Sequence, residues 1–70
     1  MEYYLSKKII VIAKDQYVVK GTLSQVTPGE IYISDYKMTT LANLEEPIAK
    51  GSDEDILIIP KFSVISMTSQ

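Results

Sequence analysis

Any chemistry in this chain has to be done without histidine, cysteine or arginine, which leaves carboxylates, lysines, tyrosines and hydroxyls. Two groups of carboxylates stand close in sequence, Glu45-Glu46 and Asp53-Glu54-Asp55. Paired carboxylates act as acid and base when burial raises one pKa, but these two groups sit in loop-like composition with no aromatic or apolar wall. A hydroxyl nucleophile needs a base to activate it, and the usual one is missing. Around Asp53 and Asp55 the spacing lacks the central glycine and terminal glutamate of a calcium loop. The thiolate and imidazole ligands of zinc are absent. The expectation is no catalytic residue, no metal site, no cofactor, and so no enzyme.

The basic residues are all lysine, at positions 7, 8, 14, 20, 37, 50 and 61, against nine carboxylates and a net charge of −2. Arginine forms the bidentate contacts typical of phosphate and base recognition. A sequence-independent nucleic-acid binder usually shows a basic stripe and a high pI, whereas this chain has a pI near 4.9. Strong generic binding to RNA or DNA is therefore not expected, and the acidic cluster reads as a solvated loop. Tyr3, Tyr4, Tyr17, Tyr32 and Tyr36 have faces on which bases can stack, but the expected role of strand tyrosines is packing at an edge or interface.

Positioning these groups falls to one small domain, residues 1–70. A chain of this length buries only about 60% of its unfolded surface, so its stability is expected to be marginal unless strand edges find a partner. No apolar run reaches the roughly 20 residues that span a bilayer, and the first eight residues do not read as a secretory signal. The expected location is cytoplasmic (or nuclear, if eukaryotic), with no membrane partner.

Strands dominate the reading. Lys8–Lys14 is β-branched and apolar on both faces, which predicts a covered strand. Asp15-Gln16 turns the chain into Tyr17–Val26, where Val19, Gly21 and Leu23 share one face. Gly21 marks a bend or a close backbone approach. Thr27-Pro28-Gly29-Glu30 predicts a type II turn, and Ile31–Tyr36 returns antiparallel. From 37 to 53 the signal weakens: Thr39, Thr40 and Leu41 can extend the strand, and Leu41, Leu44 and Ile48 have the spacing of a helical turn. Ile56–Ile59, closed by Pro60, and Ser63–Thr68 complete five strands, with a brief turn at Lys61-Phe62. A single helical turn over Met1–Ser6 is expected to cap the barrel with Tyr3, Tyr4 and Leu5. The fold class is all-β: a five-stranded, strongly bent antiparallel sheet forming a partly open, SH3-like small barrel.

In this layout the chain resembles the Sm/LSm family. The first half matches the first Sm motif in Ile10-x-Ile12-x-Lys14-Asp15, Gly21-x-Leu23 and Ile31-x-Ile33-x-Asp35. The second half is similar in shape to the second motif, with Ile58-Ile59, a four-residue turn and Val64-Ile65-x-Met67. The likeness covers about residues 7–68 apart from 37–53. It departs from the RNA-binding members at both turns that carry their contacts. Thr27-Pro28-Gly29-Glu30 lacks their aspartate, aromatic and asparagine, and Pro60-Lys61-Phe62-Ser63 stands where Arg-Gly-x-Asn is usual. No base-stacking side chain is expected in that pocket. The pattern is most similar to the LSm domains of mRNA-decapping enhancers, which dock short peptides, or to divergent archaeal LSm proteins.

The resemblance implies weak RNA contacts at Lys61, Ser63, Lys20 and Thr27. It also implies an edge-to-edge interface through Ile56, Ile58, Val64 and Met67. The residues themselves point to assembly as well, since one small core cannot bury two strands that are apolar on both faces. The expected partners are copies of the chain or a peptide of an RNA-processing factor, with RNA as a further possibility. Two functions follow: an assembly and protein-interaction module of RNA metabolism, or a homo-oligomeric ring that holds single-stranded RNA in a non-standard pocket.

Overall fold

The computed structural model describes residues 2–70 and consists of six antiparallel strands. They are β1 (Lys8–Ala13), β2 (Tyr17–Val26), β3 (Glu30–Thr40), β4 (Ala49–Lys50), β5 (Ile56–Pro60) and β6 (Val64–Ser69). Their order is β4-β3-β2-β1-β6, and β5 also pairs with β3. One edge of β3 is taken by β2; the other is shared by β5, along Glu30–Ser34, and β4, at Lys37 and Met38. Among the described residues β5 and β6 do not pair with each other, so the bent sheet stays open.

Alternation decides what is buried. Ile9, Val11 and Val19, with Leu23, Ile31, Ile33 and Ile59, form the core, and Tyr4, Tyr36, Met38, Leu57, Val64 and Met67 pack around it. The other face of β1, Ile10 and Ile12, is half-buried rather than covered as expected.

The bend has a local cause. Lys20 pairs with Lys37 but Thr22 pairs with Ser34, so Asp35 and Tyr36 together oppose the single residue Gly21. This bulge puts Asp35 at φ 50. A Cβ on Gly21 would sit 2.6 Å from Ile33 Cγ2 and 2.8 Å from the Ser34 carbonyl oxygen. Gly21 has no positive φ; what the bend needs is the missing side chain, not backbone freedom. Further bulges occur at Ser24 in β2 and at Ile65 in β6.

Several expectations are corrected. There are six strands, because β3 continues to Thr40 and Ala49–Lys50 pairs back onto it. Leu41, Leu44 and Ile48 form no helical turn and are exposed. Asn43 organises that segment instead, its Oδ1 accepting the N–H groups of Glu45 at 3.1 Å and Glu46 at 3.3 Å. The turn at 27–30 is not type II, since Gly29 lacks the positive φ that type requires. At the N-terminus a 3₁₀ turn spans Glu2–Tyr4. Only Tyr4 packs on the core; Tyr3 and Leu5 are exposed, and Met1 lies outside the described residues.

Candidate nucleic-acid and assembly interface

At one end of the open barrel the β2–β3 turn meets the β5–β6 turn. The Lys61 N–H donates to the Gly29 carbonyl at 2.9 Å, which brings Lys61 and Ser63 to the same end as Thr27. The hydroxyl of Thr27 is already engaged: it accepts the Glu30 N–H at 2.9 Å and donates to Glu30 Oε1 at 2.6 Å. Ser63 is half-buried within the 3₁₀ turn Lys61–Ser63. Lys20 is not part of this group. It stands six residues before the end of β2, about 20 Å of strand away, on the outer sheet face.

The sequence reading missed Phe62. Its ring is 74% exposed at the tip of the β5–β6 turn, which corrects the expectation that no stacking side chain remains there. Lys14 Nζ lies 5.3 Å from the ring centre, so a lysine from the β1–β2 hairpin flanks the aromatic face. Phe62 stands in a three-residue turn between two edge strands, and that position was the available signal. Glu2 lies in electrostatic range of Lys61: its carboxyl is held below the ordinary glutamate value, chiefly by a hydrogen bond to its own backbone and less by nearby positive charge that includes Lys61. The end thus offers the exposed Phe62 ring with the Lys14 ammonium near it; next to it in the chain is Lys61, which has a carboxylate in range.

The four interface candidates divide. Ile56 and Ile58, on β5, remain exposed. Val64 and Met67 turn inward and pack against the core, because the bulge at Ile65 puts both on the inner face of β6. The large apolar side chain that β6 presents outward is Ile65, 66% exposed. Between the β1–β2 hairpin and β5 the barrel mouth leaves a cleft of about 250 Å3, lined by Tyr17, Val19, Met38, Leu57 and Ile58.

The loop carboxylates hold local structure. Asp55 Oδ2 accepts the Ser52 N–H at 2.9 Å and the Ser52 hydroxyl at 3.1 Å. Glu46 Oε2 accepts from Asn43 Nδ2 at 3.3 Å. Among the described residues no three carboxylates converge on a point where a metal ion could bind.

No protein-family model and no curated protein sequence matches the chain. Solved structures do match its fold. The Sm protein of Pyrococcus abyssii, solved in complex with a uridine heptamer, is similar with a TM-score of 0.74 and 16% identity, covering 99% of this chain and 90% of that one. A chain of the NatC complex bound to CoA is similar with a TM-score of 0.76 and 13% identity, covering 99% of this chain and 82% of that one. At these identities the likeness is one of fold, and the fold is Sm-like.

Proposed function

We propose that this chain is a non-enzymatic Sm-like module of RNA metabolism that works by assembly, using the open edges of β5 and β6, and touches single-stranded RNA only weakly. The observation that carries this reading is the unclosed sheet. Two edge strands joined by a three-residue turn leave their outer backbone groups unpaired, and beside them Ile56, Ile58 and Ile65 are exposed. Such edges pair with another strand or aggregate. A head-to-tail contact from β5 of one copy to β6 of the next is heterologous, and rotational closure of such contacts gives a ring. The apolar cleft beside Ile58 supports the finer version, in which a short peptide of an RNA-processing factor docks as in the LSm domains of decapping enhancers. A fold alone does not choose between these partners.

The second reading, a homo-oligomeric ring that binds single-stranded RNA through a non-standard pocket, is favoured by one feature. Phe62, with the Lys14 ammonium near its ring and Lys61 next to it in the turn, combines a stacking face with cations, and a base on such a face gains about 1–3 kcal/mol. A ring would repeat this weak site once per subunit and raise the overall affinity without any new contact. The neighbour bound to a uridine heptamer makes that oligonucleotide the natural probe.

The test is native mass by light scattering behind a sizing column at two concentrations, followed by anisotropy of labelled heptauridylate in low and high salt. A mass of several protomers with salt-sensitive binding that is lost in both Phe62→Ala and Lys61→Glu supports the ring. Assembly without RNA binding, or a monomer that takes up a decapping-factor peptide, supports the interaction module. A monomer that binds neither peptide nor RNA removes both readings.

A further inference from the structure

The outer face of the sheet carries a second basic group, remote from the turn end. Lys37 is directly opposite Lys20 on β2 and directly opposite Lys50 on β4. Residues opposite one another in antiparallel strands share a face with Cβ atoms about 5 Å apart. Three lysines therefore leave one face of the sheet in a row across three strands. Lys8 is added diagonally, since it pairs with Thr22, two residues along from Lys20 on the same face. Four of the seven lysines of an acidic chain are gathered here. None of the four makes an ion pair among the described residues. Like charges directly opposite destabilise a sheet, so the arrangement costs the free protein stability and calls for an anion.

Beside the row lies a cleft of about 330 Å3. Lys8, Lys20 and Lys37 line it together with Thr22, and the carboxylates of Asp35 and Glu45 stand on its wall. Its volume suits a ligand of mononucleotide size. The two acidic residues can accept hydrogen bonds from sugar hydroxyls or a base amino group, which a bare phosphate does not offer. The bulge that sets Asp35 at φ 50 places it at this cleft, and bulges of this kind re-aim side chains at binding sites.

We infer that the Lys8–Lys20–Lys37 cleft binds the phosphate of a nucleotide. The nucleotide is either a free 5′-monophosphate or one unit of a single strand, and the site is separate from the Phe62 end.

Thermal unfolding with AMP against adenosine, at matched ionic strength, tests this together with amide chemical shifts. AMP is expected to raise the melting temperature and to shift Thr22, Asp35 and Lys37, while adenosine does neither. Lys20→Glu exchanges a like-charge pair for an opposite-charge pair. Its melting temperature without ligand should therefore rise, while AMP affinity falls at least tenfold. Lys20→Gln should weaken AMP with a smaller change in melting temperature, and Lys61→Glu should leave AMP binding intact. Displacement of AMP by heptauridylate identifies a strand as the source, and persistence of bound AMP identifies the free nucleotide. An AMP response equal to that of adenosine, or one unchanged in Lys20→Glu, overturns the inference.

Discussion

Replacing Ile58 by Asp separates assembly from folding. Ile58 sits on β5 opposite Tyr32, with 52% of its surface exposed in the isolated chain. Full burial of an isoleucine side chain contributes about 1.5–3 kcal/mol, so covering the remaining half adds about 1 kcal/mol at each contact. The aspartate forfeits that and brings an unpartnered carboxylate into the interface, which costs about 1–3 kcal/mol more. A loss of about 3 kcal/mol per contact weakens each one more than 100-fold. Within the monomer the substitution touches little, since Ile58 lies outside the core; the lower strand propensity of aspartate costs at most about 1 kcal/mol. Ile58→Thr keeps a β-branched side chain and isolates the apolar term. Light scattering at two concentrations reads the mass, and far-UV circular dichroism with urea reads the fold. The expected result is a monomer with near wild-type unfolding for Ile58→Asp and partial dissociation for Ile58→Thr. An Ile58→Asp variant that keeps the mass of an oligomeric wild type would refute the edge argument. A wild-type chain monomeric at both concentrations would refute self-assembly through that edge and leave it only a peptide partner.

Gly21→Ala should destabilise the fold by about 1–3 kcal/mol in urea unfolding, because the added methyl meets the Ser34 carbonyl and Ile33, and the backbone oxygen cannot rotate aside. A neutral result would mean that the bulge can widen at no cost. Gln16→Gly should raise stability by about 1 kcal/mol, since Asp15 and Gln16 both hold positive φ in the β1–β2 turn and glutamine has no side-chain reason to be there. Thr27→Val keeps the shape but leaves the Glu30 N–H without its side-chain acceptor, for an expected loss of about 1 kcal/mol by thermal unfolding. Heptauridylate affinity should not change in this variant, and a drop would return the Thr27 hydroxyl to the RNA contacts.

Much of the fold is local and was therefore legible. A period of two belongs to the chain itself, and Val19, Leu23, Ile31 and Ile33 are buried as their alternation requires, whereas in β1, apolar on both faces, only the fold chose Ile9 and Val11 over Ile10 and Ile12. Gly21 announced the bend, and Asp15-Gln16 announced the hairpin. The segment from 37 to 53 was not legible, because the continuation of β3 is held by partners on β2 and β4 and by the Asn43 side chain, none of which leaves a periodic trace.

The candidate site divides along the same line. Residue types are a property of the sequence, so the absence of histidine, cysteine and arginine limits the chemistry whatever the fold. Which residues meet is a property of register, and register here is set by three bulges. The bulge at Ile65 turned Val64 and Met67 inward, and register placed Lys20 opposite Lys37 instead of beside Lys61. The meeting of Phe62 with Lys14 depends on two turns separated by most of the chain. Alternation along a strand determines which side chains face the core; only the pairing of strands, each one-residue slip of which moves every following neighbour, decides which charges and rings stand together.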